Sequence, residues 1–224
     1  MGDTVTIVTR QSRLALWQAE HIKSKLLRKH SNLNLSLLKV STKGDKILDR
    51  SLAKIGGKGL FLKELQTALI NQQADLAVHC LKDMPAETTP GLTISALTQR
   101  IDPRDCLISR TEQGLMALPS GARIGTSSLR RATQLKKLRE DITIVDLRGN
   151  LDTRLAKLDS GEYDAIVLAA AGIVRLGLGH RVTQYFTAEE MVPAAGQGVL
   201  ALECRDSDAT VSTYLKQLSD PNTE

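Results

Sequence analysis

Short apolar segments alternate along the chain with segments of helical periodicity, and this alternation restricts the fold more than any other feature. Strands are predicted at residues 5–9, 35–40, 75–79 and 92–97. Apolar residues from Ala15 to Leu26 recur on one helical face behind the candidate cap Ser12. A second helix is predicted around Phe61 to Leu69. Because parallel strands need long crossover connections, the order predicts an α/β fold with mainly parallel sheets.

A second series of the same kind begins near residue 101. Strands are predicted at residues 106–108, 123–125, 142–146 and 165–169, with helices starting after Thr126 and Asn150. We expect the chain to enter a second lobe near residue 100 and to return between Pro193 and Gly198, ahead of a strand at residues 199–203. The predicted domains are residues 1–98 with 199–224, and residues 99–198. Two hinge crossings then join two lobes around a cleft, and open α/β sheets bind ligands outside the carboxyl ends of their strands.

The segment between the second strand and the second helix, residues 41–59, is long and unusual in composition. It contains four glycines and the basic residues Lys43, Lys46, Arg50, Lys54 and Lys58. Long segments of this kind are usually functional lids or disordered linkers. The cations favour a mobile lid over a ligand.

The charge distribution predicts an anionic partner. The net charge is +5, and no acidic residue occurs from Gln113 to Arg139, where six basic residues lie. Nucleic acid is one alternative, which would show steep salt dependence on duplex DNA. However, aromatic residues make up only 3% and do not interleave with the cations, so a stacking platform for single strands is not expected. No helix-turn-helix spacing is present, so the sequence favours a small anion over nucleic acid.

Membrane, metal and disulfide chemistry are not expected from this sequence. The longest apolar run, Ala165 to Val174, is too short to cross a bilayer. The N-terminus lacks the order of a signal peptide, so we expect a cytoplasmic protein. The three cysteines are far apart and have no metal-binding spacing. We expect them to be buried free thiols.

Two strand-to-helix turns carry the residue types that bind carboxylates. The first contains Thr126, Ser127, Ser128, Arg130 and Arg131, and the second contains Arg148, Asn150 and Arg154. Hydroxyl groups and free N–H groups at a helix start can hold an anion, and planar guanidinium groups match carboxylates. The alternative for each turn is a capped helix with solvated arginines. Two such turns within 30 residues indicate a ligand with several carboxylates.

Further polar turns follow other predicted strands. Asp83 lies beside Lys82, just after the strand that ends near His79. A carboxylate there can stabilise a developing positive charge or move a proton, and the alternative is a surface Lys–Asp pair. His79 is expected to be a packed histidine, since no second metal ligand is spaced to help it. The turns at residues 9–12 and 193–198 are by themselves only turns.

Nine segments together resemble the porphobilinogen deaminase family, also called hydroxymethylbilane synthase. They are TRQSRLALWQA, TKGD, KIGGKGLFLKELQ, DLAVHCLKDMP, DPRDCLIS, IGTSSLRRATQL, LRGNLDTRLAKLD, YDAIVLAAAG and PAAGQGVLALECR, in order from Thr9 to Arg205. The resemblance implies a transferase of tetrapyrrole and haem biosynthesis. Such an enzyme condenses four porphobilinogens head to tail into hydroxymethylbilane and releases ammonia at each step. Each porphobilinogen carries an acetate and a propionate, so the growing polypyrrole accumulates carboxylates. The resemblance also implies a fold similar to the type II periplasmic binding proteins.

The resemblance implies roles for particular residues. Asp83 would interact with pyrrole nitrogens and support the cationic intermediate, with Lys82 beside it as a second catalytic residue. Carboxylate-binding cations would be Arg10, Arg130, Arg131, Arg148, Arg154 and Arg175, with Lys54 and Lys58 in the mobile loop. Ser12, Thr126, Ser127, Ser128 and Gln197 match polar positions around the same cleft.

The sequence departs from the family pattern at two places. Cys80 stands where many relatives have serine. The family also has a third domain, whose Gly-Gly-Cys segment holds a dipyrromethane cofactor covalently, whereas this chain ends at Glu224 before such a segment. We therefore expect a fragment that is inactive alone. The full-length family is expected to be monomeric, and uncovered apolar surface could make the fragment self-associate. The alternative is a two-lobed protein that binds small anions without catalysis.

Overall fold

Two five-stranded sheets, one in each of two units of the chain, organise the computed structural model. Unit 1 comprises Met1–Arg100 and Val199–Glu224, and unit 2 comprises Ile101–Gly198. The structure describes residues 2–42 and 62–223. The predicted lid from residue 43 onward lies outside the described residues, and so do Lys54 and Lys58.

The helices and strands follow the chain in an alternating order. The first part of unit 1 contains β1 (Thr4–Arg10), α1 (Arg13–Lys29), β2 (Asn34–Val40), α2 (Lys63–Ile70), β3 (Leu76–Cys80) and β4 (Leu92–Leu97). Unit 2 contains β5 (Asp105–Ser109), β6 (Arg123–Gly125), α3 (Leu129–Leu138), β7 (Thr143–Val145), α4 (Leu151–Asp159), β8 (Ala165–Ala169), α5 (Ala170–Arg175) and β9 (Gln184–Tyr185). The chain then returns to unit 1 with β10 (Leu200–Arg205) and α6 (Ala209–Lys216).

The sheet of unit 1 has the order β2-β1-β3-β10-β4. β1 is parallel to both β2 and β3, whereas the returning strand β10 is antiparallel to β3 and β4. Four strands therefore share one direction, and the prediction of mainly parallel sheets is confirmed here. Ile7, Ile22, Leu76 and Leu202 are fully buried where α1 and the sheet pack together.

The sheet of unit 2 repeats this arrangement in the order β7-β6-β8-β5-β9. β6 is parallel to β7 and β8, and β5 is antiparallel to β8 and β9. Leu107, Ile124 and Phe186 are fully buried in its core. The first strand of this unit, β5, thus takes the place that the last strand, β10, takes in unit 1.

Several details differ from the sequence-based expectation. The helices α5 and α6 and the two-residue strand β9 were not predicted. Cys106 and Cys204 are buried free thiols as expected, but Cys80 is half-buried, so that expectation is wrong for Cys80. The reason is its place at the last position of β3, where the chain leaves the sheet. Among the described residues, no helix combines the length and apolarity needed to cross a membrane.

Candidate functional site

One edge of the unit 2 sheet collects most of the predicted site residues. The strands β6, β7 and β8 are parallel, so their carboxyl ends meet at this edge, which we call the carboxyl edge of unit 2. The antiparallel strand β5 begins at the same edge, because Asp105 pairs with Ala169 at the end of β8. The turns after β6 and β7, the start of α5 and the side chain of Asp105 are therefore brought together.

The hydroxyl groups of the first turn fix the local backbone. Thr126 Oγ1 accepts a hydrogen bond from the amide of Ser128 at 3.2 Å. Ser128 Oγ caps α3 by accepting from the amide of Arg131 at 3.4 Å. Ser127 Oγ donates to the carbonyl oxygen of Leu147 at 2.8 Å and accepts from its amide at 3.1 Å. The two hydrogen bonds between Ser127 and Leu147 join this turn to the one that follows β7.

Arg130 and Arg131 converge on the carboxylate of Asp105. Arg131 Nε and Nη2 lie 3.0 and 2.7 Å from Oδ1, and its Nη1 donates to the carbonyl oxygen of Val167 at 3.1 Å. Arg130 Nη1 lies 2.6 Å from Oδ2. The side chain of Asp105 is 0% exposed, that of Arg131 8% and that of Arg130 27%. The two adjacent arginines therefore differ in their access to a ligand.

Opposing effects act on the pKa of Asp105. Burial alone raises it, but the positive charge of Arg131 and hydrogen bonds from Arg130, Arg131 and Gln197 outweigh burial and lower the pKa below its usual value. Asp105 is therefore ionised at neutral pH and neutralises one of the two guanidinium charges.

Gln197 and Arg175 contact the backbone where the chain enters and leaves unit 2. Gln197 is fully buried, and its Nε2 donates to the carbonyl oxygen of Pro103 at 2.6 Å and to Asp105 Oδ1 at 3.0 Å. Arg175 is nearly buried, and its Nη2 donates to the carbonyl oxygen of Gly198 at 2.9 Å. Both side chains thus hold the crossing segments in place.

The second turn holds Arg148 in an unusual environment. Its side chain is 12% exposed, and its Nε lies 3.6 Å from Asp146 Oδ2, beyond hydrogen-bonding distance. Among the described residues, no group accepts a hydrogen bond from this buried Nε. In the helix that follows, α4, Arg154 Nε donates to the carbonyl oxygen of Gly149 at 2.8 Å. A buried guanidinium N–H without a hydrogen-bond acceptor is costly, and an anionic ligand would supply one.

Unit 1 positions the remaining described candidates. β1 and β3 are parallel neighbours, so Arg10 at the end of β1 and the 3₁₀ turn Leu81–Asp83 after β3 lie at one edge of that sheet. Ser12 caps α1 by accepting from the amide of Ala15 at 3.4 Å. Asp83 is exposed, while Arg10 and Lys82 are half-buried. These residues form a polar edge with a carboxylate among cations.

Cys80 is tied to the helix that starts at this edge. Gln18 on α1 is buried, and its Nε2 donates to Cys80 Sγ at 3.3 Å. The thiol therefore helps to fix α1 against the end of β3, three residues before Asp83.

The sequence did not single out Asp105 as a site residue. The predicted strand began at Cys106, one residue too late, so the acid appeared to lie in a loop. A signal was present: Asp105 adjoins an apolar strand in a unit whose segment 113–139 contains six basic residues and no acid. The basic side chains of the acid-free segment do not all face a common ligand. Arg139, for example, donates to Asp141 and to the carbonyl oxygens of Leu115 and Leu118.

Comparisons with known proteins agree with this architecture. A family model described as porphobilinogen deaminase, dipyromethane cofactor binding domain, matches residues 5–213. A lipoprotein of Bacillus subtilis subsp. subtilis str. 168, provisionally described as methionine-binding, is similar in structure with a TM-score of 0.61 and 13% identity, over 99% of this chain and 92% of that chain. The methionine-binding protein MetQ gives a TM-score of 0.61 and 13% identity over 96% of this chain and 89% of that chain. The fold is thus of the type II periplasmic-binding-protein class, as the sequence implied.

Proposed function

Because the chain belongs to the porphobilinogen deaminase family, whose members are transferases, we propose that it binds porphobilinogen and the growing polypyrrole for condensation into hydroxymethylbilane. The observation that carries this proposal is Arg148, whose buried Nε has no acceptor among the described residues. A ligand carboxylate supplies that acceptor. Several carboxylates on one ligand would engage several arginines at the same edge.

We propose two tasks for the described candidate residues. Arg130, Arg148 and Arg154 at the carboxyl edge of unit 2, and Arg10 in unit 1, are proposed to bind acetate and propionate groups. The remaining candidates are proposed to shape the turns that present these arginines, and they are Ser12, Thr126, Ser127, Ser128, Arg131, Arg175 and Gln197. Lys54 and Lys58 stay predictions, since they lie outside the described residues.

Asp83 is proposed to serve the reacting pyrrole. In the condensation, the C–N bond of the aminomethyl substituent of porphobilinogen breaks and its amino group leaves as ammonia. The remaining methylene carbon bonds to the free α-carbon of the terminal pyrrole, which loses a proton. Positive charge develops on the pyrrole nitrogen as ammonia leaves. An exposed carboxylate at Asp83 stabilises that charge, and Lys82 binds a neighbouring carboxylate of the substrate.

The residues present fit a dipyrromethane group in their charge. Such a group carries carboxylates, which the Nε of Arg148, without a hydrogen-bond acceptor among the described residues, and the partly exposed Arg130 would hold. When bound, it supplies the pyrrole terminus to which the first substrate is added. Burial raises the pKa of the Cys106 thiol to about 12 and also raises that of Cys204, so neither suits a thioether anchor. We therefore propose that neither of these two buried thiols holds the dipyrromethane.

Titration calorimetry with porphobilinogen tests the binding proposal. Arg148→Gln should weaken binding by about tenfold or more, as expected for losing a charge-assisted contact. Arg110→Gln is the matched control, since Arg110 follows β5 at the opposite end of the strand from Asp105. Binding that is absent in the unchanged chain, or equal in Arg148→Gln, would contradict the proposal.

The fold similarity to binding proteins supports a second candidate function, in which the units hold a small anion without catalysis. Ammonia release separates the two. The chain is incubated with porphobilinogen and free dipyrromethane, and ammonia is measured beside an Asp83→Asn variant. Release that depends on Asp83 supports the transferase. Binding with no release in either chain supports the anion-binding protein.

A further inference from the structure

We infer that Asp105 is a positioning residue that assigns different tasks to two adjacent arginines: it holds Arg131 as an internal support and directs Arg130 towards a ligand carboxylate. The inference rests on the proposed function, because it takes the ligand to be porphobilinogen or its polymer. It concerns a residue that contacts the arginines and need not contact the ligand.

Neighbouring positions on a helix do not normally share a partner. Successive residues of an α-helix point about 100° apart, so the side chains at Arg130 and Arg131 diverge unless a third group draws them together. Both are in the first turn of α3. The carboxylate of Asp105 is that group, with Oδ1 accepting from Arg131 and Oδ2 lying 2.6 Å from Arg130 Nη1.

The contacts of the two arginines show the difference in task. All three side-chain nitrogens of Arg131 donate within unit 2, to Asp105 and to the carbonyl oxygen of Val167. Arg130 uses only Nη1, on Asp105 and on the carbonyl oxygen of Val192 at 2.5 Å. Among the described residues, Nε and Nη2 of Arg130 have no partner. Two donors on one edge of a planar guanidinium match a carboxylate with two parallel bonds.

The charges lead to the same assignment. Two guanidinium groups and one carboxylate leave one net positive charge, because Gln197, the other partner of Asp105, is neutral. One ligand carboxylate then neutralises the cluster. Without Asp105, two cations would face each other in a largely buried place, and each would adopt positions that reduce the repulsion. Affinity would fall although no ligand contact had been removed.

A double-mutant cycle on porphobilinogen binding tests the inference. Asp105→Asn and Arg130→Lys should each weaken binding by about tenfold. If Asp105 acts through Arg130, the double variant should bind no more than about threefold more weakly than either single variant. Asp102→Asn is the control, because Asp102 pairs with the exposed Arg104 and should change affinity less than about twofold. Additive losses in the cycle would overturn the inference.

Arginine side-chain NMR gives a second readout that a general loss of stability would not imitate. In the unchanged chain, the Nε–H signal of Arg131 should be protected from solvent exchange and that of Arg130 should not. Porphobilinogen should shift the Arg130 signal and leave the Arg131 signal in place. A larger shift at Arg131, or protection that survives in Asp105→Asn, would overturn the inference.

Two further outcomes remain decisive. If Asp105→Asn does not fold, Asp105→Glu keeps the charge but moves it by one methylene, and we expect it to fold with binding weakened by about fivefold or more. Unchanged binding in Asp105→Glu would overturn the inference. If the unchanged chain binds no porphobilinogen, the proposed function fails, and the exchange protection of Arg131 in the Asp105 variants still decides whether Asp105 positions the arginines.

Discussion

Ser127 and Leu147 are joined by two hydrogen bonds, with the hydroxyl of Ser127 donating to the carbonyl oxygen of Leu147 and accepting from its amide. Leu147 is fully buried and directly precedes Arg148. The pair therefore connects the turn that starts α3 to the turn that carries Arg148, whose Nε has no hydrogen-bond acceptor among the described residues.

Replacing Ser127 with alanine should loosen the Arg148 turn. The backbone groups of Leu147 would lose their partner, so the free energy of unfolding should fall by about 1–3 kcal/mol, as expected for buried polar groups left unsatisfied. Urea unfolding followed by circular dichroism measures this. Ser160→Ala is the control, because the Ser160 hydroxyl donates to Lys157 at the exposed end of α4 and its loss should cost less than about 0.5 kcal/mol. Equal effects would contradict the account.

Gly149 in the same turn should not tolerate a side chain. Its φ is +108°, and a Cβ there would lie 2.6 Å from Thr153 Cγ2. Gly149→Ala should therefore destabilise unit 2 by about 1–3 kcal/mol through backbone strain, and more through the clash. Gly177→Ala separates the two causes, because Gly177 has a φ of +70° and nothing within 4 Å of its added Cβ. If both variants lose equal stability in urea unfolding, the contact with Thr153 has no effect.

The sequence predicted the turns well because their signals are local. Ser12 and Asn150 cap the helices that follow them, as the sequence predicted. The helix predicted to start after Thr126 begins two residues later, with Ser128 as its cap. The strands at residues 92–97, 123–125 and 165–169 were likewise predicted with the bounds observed. Apolar segments between turn residues are enough to define such elements.

The sequence could not show which polar groups would meet across the sheet. Asp105 and Arg131 are 26 positions apart, and Asp105 and Gln197 are 92 apart. Their contact depends on β5 being inserted antiparallel beside β8, which no local pattern encodes. Spacing alone therefore treated Arg130 and Arg131 as equivalent, whereas the buried carboxylate makes them different.

A buried pair in unit 1 should contribute to stability near the candidate catalytic edge. His79 Nε2 and Glu203 Oε2 lie 2.9 Å apart with 3% and 2% of their side chains exposed. Gln66 donates to the other oxygen of Glu203 at 2.9 Å, and Thr89 donates to Gln66 at 3.1 Å. These contacts connect α2 and the segment after Asp83 to the central strands β3 and β10.

Glu203→Gln and His79→Asn should each lower the free energy of unfolding by about 1–3 kcal/mol, because each leaves a buried partner unsatisfied. The double variant should lose less than the sum, since both changes remove the same bond. Fluorescence of Trp17, the only tryptophan and part of unit 1, follows the transition in urea. An additive double variant would show that the two residues act separately.

Acid should destabilise unit 2 through Asp105. Its pKa is lowered in the folded state, so its contribution is present above the unfolded value of about 4 and is lost as pH falls through the folded value. Asp105→Asn should lower the free energy of unfolding by about 3–5 kcal/mol near neutral pH, as expected for a broken buried ion pair. The variant should also lose less of its stability than the unchanged chain as the pH falls through the acid range. Urea midpoints across the acid range, followed by circular dichroism, measure both effects. An Asp105→Asn variant that loses as much stability in acid as the unchanged chain would contradict the lowered pKa of Asp105.

Thiol reactivity should distinguish Cys80 from the other two cysteines. Thiolates are the reactive form, and burial raises the pKa of both Cys106 and Cys204, whereas Cys80 is half-buried at the end of β3. An aromatic disulfide reagent should therefore modify Cys80 first in the native chain, and all three cysteines only after unfolding. Cys80→Ser should abolish the early reaction.

The same reaction tests whether ligand binds near Asp83, which is three residues after Cys80. Porphobilinogen bound at the edge formed by Arg10 and Asp83 would cover the end of β3 and slow the modification of Cys80. An Asp83→Asn chain keeps the thiol in place but loses a proposed contact to the pyrrole, so its protection should need a higher ligand concentration. Saturating porphobilinogen that leaves the rate unchanged, in a chain that calorimetry shows to bind it, would place the ligand away from Asp83 and contradict its proposed role.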